Sequence, residues 1–225
     1  MKNHSCGESV FDWGWAEAYE RAGGHYYPKL VAAVPYTPAT GQRLLAHPAA
    51  ARSDVLGALI DAARVCQEEL GASSTHVLFP TDAERETLAT AGFLPRKSCQ
   101  FHWHNRGYRD FDDFLGRFSS AKRKKARRER RRIAEAGIRF DHLRGDELAE
   151  SDWDAVFEFY SNTFWRRGRA PYLNRAFFDE IVRAMPESLI VILARHLGRP
   201  IATAICFRGA DTFYGRYWGS LADFH

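Results

Sequence analysis

"SLIVILARHLGRPIATAICFRGADTFYGRYWGS", residues 188–220, is the stretch whose reading decides the fold. It holds three runs rich in β-branched and aromatic residues: "SLIVILAR", "RPIATAICFR" and "DTFYGRYWGS". The connections "HLGRP" and "GAD" are short enough for antiparallel hairpins, so the stretch predicts a three-stranded meander. Strict alternation in the last run puts Phe213, Gly215, Tyr217 and Gly219 on one face, and Tyr214, Arg216 and Trp218 on the other. An arginine between two aromatic residues suits an acyl or anionic substrate surface. Cross-strand packing is the competing use of the same side chains.

Upstream of the meander the pattern turns helical. "NRAFFDEIVRAMP" (174–186) opens on Asn174 and closes at Pro186. "SDWDAVFEFYSNTFWRR" (151–167) carries Trp153, Val156, Phe157, Tyr160 and Phe164 on one face. Ser151 and Asp154 have the spacing of a capping box there. Tyr160 lies on that apolar face and reads as core, whereas Tyr172 follows Pro171 in a loop, where functional side chains concentrate. "IRFDHL" (138–143) reads as one more strand.

Before it comes "AKRKKARRERRRIAEAG" (121–137), in which nine of the eleven residues from Lys122 to Arg132 are Lys or Arg. Ser119 or Ser120 offers an N-cap and Gly137 a C′ residue, so the run predicts one helix over about Ala121–Ala136. Ala126, Ile133 and Ala134 form a narrow apolar stripe for docking, with the long side chains snorkelling outward. The charge has two further uses: recognition of a polyanion through Arg127, Arg128, Arg131 and Arg132, or a free nucleic-acid-binding protein. No recognition motif or aromatic platform accompanies the charge, which disfavours the last.

The first half has a different order. "YYPKLVAAVPY" (26–36) reads as a strand, and "TPATGQR" (37–43) as an open turn. "SDVLGALIDAARVCQEELG" (53–71) is a helix capped by Ser53 or Asp54 and ended by Gly71. "STHVLFP" (74–80) is a short strand, and "TDAERETLATAGF" (81–93) a helix capped by Thr81 or Asp82. "SCQFHWHN" (98–105) completes the half as a strand, with His102 and His104 on one face. No third ligand with meaningful spacing follows them, so no metal is expected.

Bulk properties exclude several classes. The 225 residues are 45% hydrophobic and 14% aromatic, enough for a sizeable core. Net charge is +4, and Lys122–Arg132 alone carries +8, which leaves −4 for the rest. A local basic patch of that kind is not a chain that coats nucleic acid. Cys6, Cys66, Cys99 and Cys206 form no C-x-x-C pair, which fits reduced thiols. With no transmembrane run and no signal-peptide core, the expected address is the cytoplasm.

These words together resemble a known family. "FSSAKRKKARRERRRIAEAGI", "FYSNTFWRRGRAPYLNRAFF", "RPIATAICFRGADTFYGRYWGS" and, upstream, "GESVFDWGWAEAYERAGGHYYPKLVAAVPYTPATGQRLL" are similar to the FemAB-like N-acyltransferases of peptidoglycan biosynthesis. The resemblance covers nearly the whole chain. It implies an α/β fold of the GNAT N-acyltransferase type, a mixed sheet with an antiparallel meander flanked by helices. It further implies that residues 1–105 form the C-terminal half of a first GNAT-like module. Residues 106–225 would then be the N-terminal half of a second, with the reading frame continuing past His225.

The implied activity is transfer of an acyl or aminoacyl group, from acyl-CoA or aminoacyl-tRNA, to an amine. Gly41 and Arg43 in the 37–43 turn are the candidates for the cofactor, although the turn lacks the usual glycine pattern. Tyr172, Arg216 and Trp218 are the candidates for substrate. The catalytic base is not assigned. Because the second module's cofactor segment would follow residue 225, little activity is expected of the 225 residues alone. The alternative function is a non-catalytic module that binds tRNA or another polyanion through the basic helix.

Overall fold

The computed structural model describes residues 1–221, and the chain divides into two compact units, Met1–His102 and Trp103–His225. Both mix helices with strands. The first carries a two-stranded parallel sheet and the second a four-stranded antiparallel one.

In the first unit, helix α1 (Trp13–Arg21) precedes strand β1 (Leu30–Ala32), helix α2 (Arg52–Glu69), strand β2 (Thr75–Val77) and helix α3 (Asp82–Thr90). Strands β1 and β2 pair in parallel from Leu30↔Thr75 to Ala32↔Val77, and α2 makes the crossover that parallel strands require. Leu56 and Ile60 of α2 pack with Leu44 and Leu88, joined by Val77 and Phe93. Thr81, one of the two caps expected, caps α3, and the structure adds a full capping box with Glu84. The cap of α2 differs: Ala51 occupies the N-cap with no side-chain bond, so Ser53 and Asp54 lie inside the helix. Gly71 does follow α2 in the left-handed region, at φ +60°.

Two strand predictions need correction. The run 26–36 forms a ladder only over Leu30–Ala32, because its partner β2 is itself three residues long. Residues 98–105 form no strand, and Phe101 is 99% exposed. Among the described residues this run joins no ladder of either sheet, and an apolar run without a ladder partner does not hold a strand. The shared face assumed for His102 and His104 lapses with it.

The second unit begins with helix α4 (Phe111–Gly116) and the basic helix α5 (Ser120–Glu135), followed by strand β3 (Ile138–Arg144). Helices α6 (Glu150–Trp165) and α7 (Arg175–Ala184) come next, then strands β4 (Leu189–His196), β5 (Arg199–Arg208) and β6 (Phe213–Ser220). The sheet runs β3-β4-β5-β6 with every neighbour antiparallel. Leu197 and Gly198 both have positive φ at the β4–β5 turn (49° and 77°), the conformation whose twist matches a tight hairpin.

Helix α6 covers the sheet. Trp153, Val156, Phe159, Tyr160 and Phe164 meet Phe178 of α7 and Leu189, Val191, Leu193 and Ile205 of the sheet. Burial of each such side chain contributes about 1.5–3 kcal/mol. The closest approach is at Gly219, where a Cβ would lie 2.1 Å from the Phe159 carbonyl oxygen. Asn174 caps α7 by accepting the Phe177 N–H at 2.9 Å, as predicted. The predicted capping box of α6 is absent: the helix starts at Glu150 behind Ala149, which places Ser151 one residue inside it.

Candidate functional site

The meander holds the densest group of polar-tipped aromatic residues. The register of β5 against β6 passes from Ile205↔Tyr217 to Cys206↔Gly215, so Arg216 is the extra residue of a bulge. This corrects the strict alternation expected from the sequence. The Arg216 guanidinium stands 4.7 Å from the Tyr217 ring centre, and that ring stacks edge-on against Tyr160 at 4.8 Å. Tyr160 in turn meets Phe164, whose ring contacts Tyr172 at 4.8 Å. A run of four aromatic rings and one cation therefore links β6, α6 and the loop before α7.

Two hydroxyls in this cluster behave differently. The Tyr160 oxygen accepts the Leu173 N–H at 3.0 Å and so fixes the loop that carries Tyr172. The Tyr217 oxygen is buried and, among the described residues, has no well-aligned hydrogen-bond partner. Burial raises the pKa of both phenols above the ordinary tyrosine value, which keeps them protonated at neutral pH. An oxygen left without a partner in a core usually signals a role or a missing ligand.

Of the three substrate candidates, Tyr172 and Arg216 join this cluster and Trp218 does not. Its side chain is 61% exposed, and neighbouring Tyr217 and Gly219 turn toward α6. The Trp218 carbonyl oxygen accepts the Thr163 hydroxyl at 2.7 Å, which ties α6 to β6.

The 37–43 turn has its donors already engaged. The Arg43 guanidinium donates to the carbonyl oxygens of Leu78 (2.8 Å), Gln42 (3.1 Å) and Ala39 (2.7 Å). The backbone N–H groups of Arg43 and Leu44 both point at Glu84 Oε1, each at 2.8 Å. Glu84 is buried, which favours its protonated form, but the N–H groups of Leu44, Arg43 and Thr81 outweigh that and lower its pKa. A carboxylate of the chain itself thus sits where these amides would face phosphate. The amide of Gly41 is taken as well, by the Phe79 carbonyl at 3.1 Å. The expectation that Gly41 and Arg43 receive a cofactor meets a loop closed by internal partners.

On α5 no residue is buried. Arg123 and Ala126 are half-buried, while Ile133 and Ala134 are exposed, so of the apolar stripe expected from the sequence only Ala126 lies on the docked side. Contact instead comes through charge and ring: Arg127 donates twice to Asp112 Oδ1 (2.8 and 3.2 Å), and Arg130 lies 4.3 Å from the Phe111 ring centre. Arg131 faces Glu135 at 3.6 Å and Lys125 faces Glu129 at 3.8 Å. At 100° per residue, Lys125, Arg128 and Arg132 share the opposite face. Arg128 and Arg132 make no ion pair among the described residues.

Sequence reasoning missed a buried network in the first unit. Lys29 is fully buried, and its Nζ donates to Asp12 Oδ2 (2.6 Å), Glu8 Oε2 (2.7 Å) and Ser5 Oγ (2.9 Å). Arg96 donates to the other Asp12 oxygen at 2.7 Å. Burial pushes the Asp12 carboxyl upward, but the bonds from Lys29 and Arg96 prevail and hold its pKa at about 2. His76, 3.9 Å from Asp12, is held below the usual histidine value by burial and the Lys29 charge. The only sequence signal was a lysine beside a proline at the head of a strand.

With this geometry in hand, comparison with known proteins narrows the identity. A family model described as peptidoglycan biosynthesis/recognition matches residues 1–225, the whole chain. The chain belongs to the FemAB-like family. Membership ties this FemAB-like chain to peptidoglycan biosynthesis. No curated protein matches it in a sequence search. Among the described residues, no helix of the FemAB-like chain is long and apolar enough to cross a membrane.

Proposed function

We propose that the chain is part of an N-acyltransferase of cell-envelope synthesis, which passes an acyl or aminoacyl group from acyl-CoA or aminoacyl-tRNA to an amine. The observation that carries this is the match to the FemAB-like family over all 225 residues. Support comes from the second unit: two helices between β3 and β4, followed by an antiparallel meander, is the order expected of the front half of a GNAT-type module. In such a transfer the amine nitrogen attacks the carbonyl carbon of a thioester or ester. A C–N bond forms, the C–S or C–O bond breaks, the amine loses a proton, and the leaving thiol or hydroxyl gains one. Arg216 suits the anionic part of a donor or acceptor, and Tyr172 its apolar part. The Tyr217 ring, 4.7 Å from the guanidinium, helps to orient Arg216.

The test is direct. The protein is incubated with radiolabelled aminoacyl-tRNA or acyl-CoA and an amine-bearing peptidoglycan precursor, and the product is read by mass. Label in the precursor, even at the low level expected of residues 1–225 alone, and reduced further by Arg216→Gln, is the expected result. Absence of transfer from either donor, with tRNA still bound in a salt-dependent way, favours the second reading. In that reading α5 is a polyanion-binding face, and the exposed Arg128 and Arg132 are the observation behind it.

A further inference from the structure

The start of the second unit carries a surplus of charge and a cluster of wet aromatic rings in one place. From Trp103 to Glu135, twelve Lys and Arg stand against five Asp and Glu, a larger surplus than the net +4 of the whole chain. The same segment holds Trp103, Tyr108, Phe111, Phe114 and Phe118. Phe114 is the hub of their rings, 6.0 Å from Trp103, 5.3 Å from Tyr108, 5.8 Å from Phe111 and 4.9 Å from Phe118. Phe111 joins the cluster to α5, since the Arg130 guanidinium lies 4.3 Å from its ring centre and Arg127 is bonded to neighbouring Asp112.

Much of this cluster is not core. Leu115 is buried behind it, but Trp103 is 61% and Phe111 42% exposed. On α5 only Arg123 and Ala126 are half-buried, so the cations beside the rings are as open to water as those on the far flank. Exposed apolar surface of this kind marks an interaction site, and the charge beside it asks for an anionic partner.

Ring geometry separates two such partners. A single-stranded nucleic acid needs open ring faces on which bases stack. Here Phe114 meets Trp103, Tyr108 and Phe118 at 77°, 72° and 68°, edge against face, and Arg130 covers Phe111. Few faces are left for bases. A bilayer surface asks less of geometry. It takes apolar bulk at headgroup level, where tryptophan is favoured, and it attracts clustered Lys and Arg through anionic lipids.

We propose that Trp103, Phe111 and α5 form a docking surface for an anionic phospholipid bilayer, with Trp103 seated among the headgroups and the α5 cations on their phosphates. The contact is peripheral and is weakened by salt. It stands apart from the transferase assignment, because vesicle binding needs neither donor nor acceptor.

Sedimentation of the protein with vesicles of phosphatidylcholine, with and without phosphatidylglycerol, tests it. Vesicles containing phosphatidylglycerol are expected to bind at least about tenfold more tightly, and raised salt should release the protein. Replacing the four exposed cations Lys124, Arg128, Arg131 and Arg132 with Gln should weaken that binding by about 100-fold or more. Trp103→Leu keeps apolar bulk and so keeps binding, and it reports where the ring sits. Lipids brominated near the headgroup should quench the tryptophan fluorescence of the unaltered protein and quench that of Trp103→Leu much less. Equal binding to neutral and anionic vesicles, or full binding by the four-Gln variant, overturns the role of α5. Quenching that is the same in Trp103→Leu overturns the seat of the ring. Binding to tRNA with none to anionic vesicles at millimolar lipid assigns the surface to nucleic acid and overturns the proposal.

Discussion

Lys29 Nζ lies 2.6 Å from Asp12 Oδ2, with both side chains fully removed from water. Desolvating two charges costs several kcal/mol per ion, and their attraction offsets this only when the remaining donors and acceptors are satisfied. Here Ser5, Glu8 and Arg96 supply those bonds. The network joins the start of the chain to β1 and to the segment after α3. Lys29→Met removes its centre and leaves two buried carboxylates facing each other. It is expected to cost about 3–5 kcal/mol in urea denaturation. The triple change Lys29→Met, Glu8→Gln, Asp12→Asn should recover part of that loss, because no buried charge is then left uncompensated.

Acid should act on the same place. The folded pKa of Asp12, about 2, lies below its ordinary value of 3.8, so the unfolded chain binds the proton first. The stability contributed is complete above about pH 4 and is lost as pH falls from there toward 2, amounting to about 2 kcal/mol. His76, with its folded pKa also lowered, adds a loss of the same sign that begins as pH falls through the ordinary histidine range. Denaturation midpoints between pH 7 and pH 2 measure both. Asp12→Asn should flatten the low-pH limb and leave the His76 limb in place.

Local signals carried most of the elements, and separation along the chain hid the rest. The meander, α7 with its Asn174 cap and the Thr81 cap of α3 follow from neighbouring residues, and the structure has them. The strand expected at 98–105 fails because a ladder needs a partner, which no local pattern supplies. The bulge at Arg216 is likewise a property of two strands. In the site, Tyr172 and Arg216 were visible as a loop residue and a polar tip in the last strand, and both are half-buried, whereas the buried hydroxyl of Tyr217 became distinct only once α6 packed on it. Lys29 joins residues 17 and 21 positions away, and Arg96 reaches Asp12 across 84. Spacing contains no trace of that.

Gly219 is where α6 comes closest to the sheet. A methyl group there would overlap the Phe159 carbonyl, which belongs to helix backbone and cannot swing aside. Gly219→Ala is expected to destabilise the second unit by about 3 kcal/mol through overpacking. Gly57, on α2 with open space around it, is the control. Gly57→Ala should raise the melting temperature slightly, because alanine is the better helix former by about 1 kcal/mol.

Glu84 allows the closed turn to be opened. Removing its carboxylate with Glu84→Ala leaves the amides of Arg43 and Leu44 without an acceptor and the α3 capping box half-made. A loss of about 2–4 kcal/mol is expected. If those amides form an anion site that Glu84 fills from within, inorganic phosphate should raise the melting temperature of the variant more than that of the unaltered protein. Equal phosphate effects on the two proteins would mean that the loop collapses rather than presenting its amides.

The four arginines of α5 should not respond alike. Arg127 is held by Asp112 and helps to fasten α5 to α4, whereas Arg128 and Arg132 project from the exposed face. Arg127→Gln is therefore expected to lower stability by up to about 1 kcal/mol, as surface ion pairs do, with little change in polyanion binding. Arg128→Gln with Arg132→Gln should leave the melting temperature unchanged. If this face recruits tRNA, the pair should weaken binding evenly across tRNA species and reduce the slope of log affinity against log salt by about 1.5–2, one released counterion set per lost phosphate contact. Arg131 is intermediate, since Glu135 at 3.6 Å already shares its charge. Binding titrations at several salt concentrations separate these outcomes. A slope that stays the same after removal of Arg128 and Arg132 means that this face does not recruit tRNA.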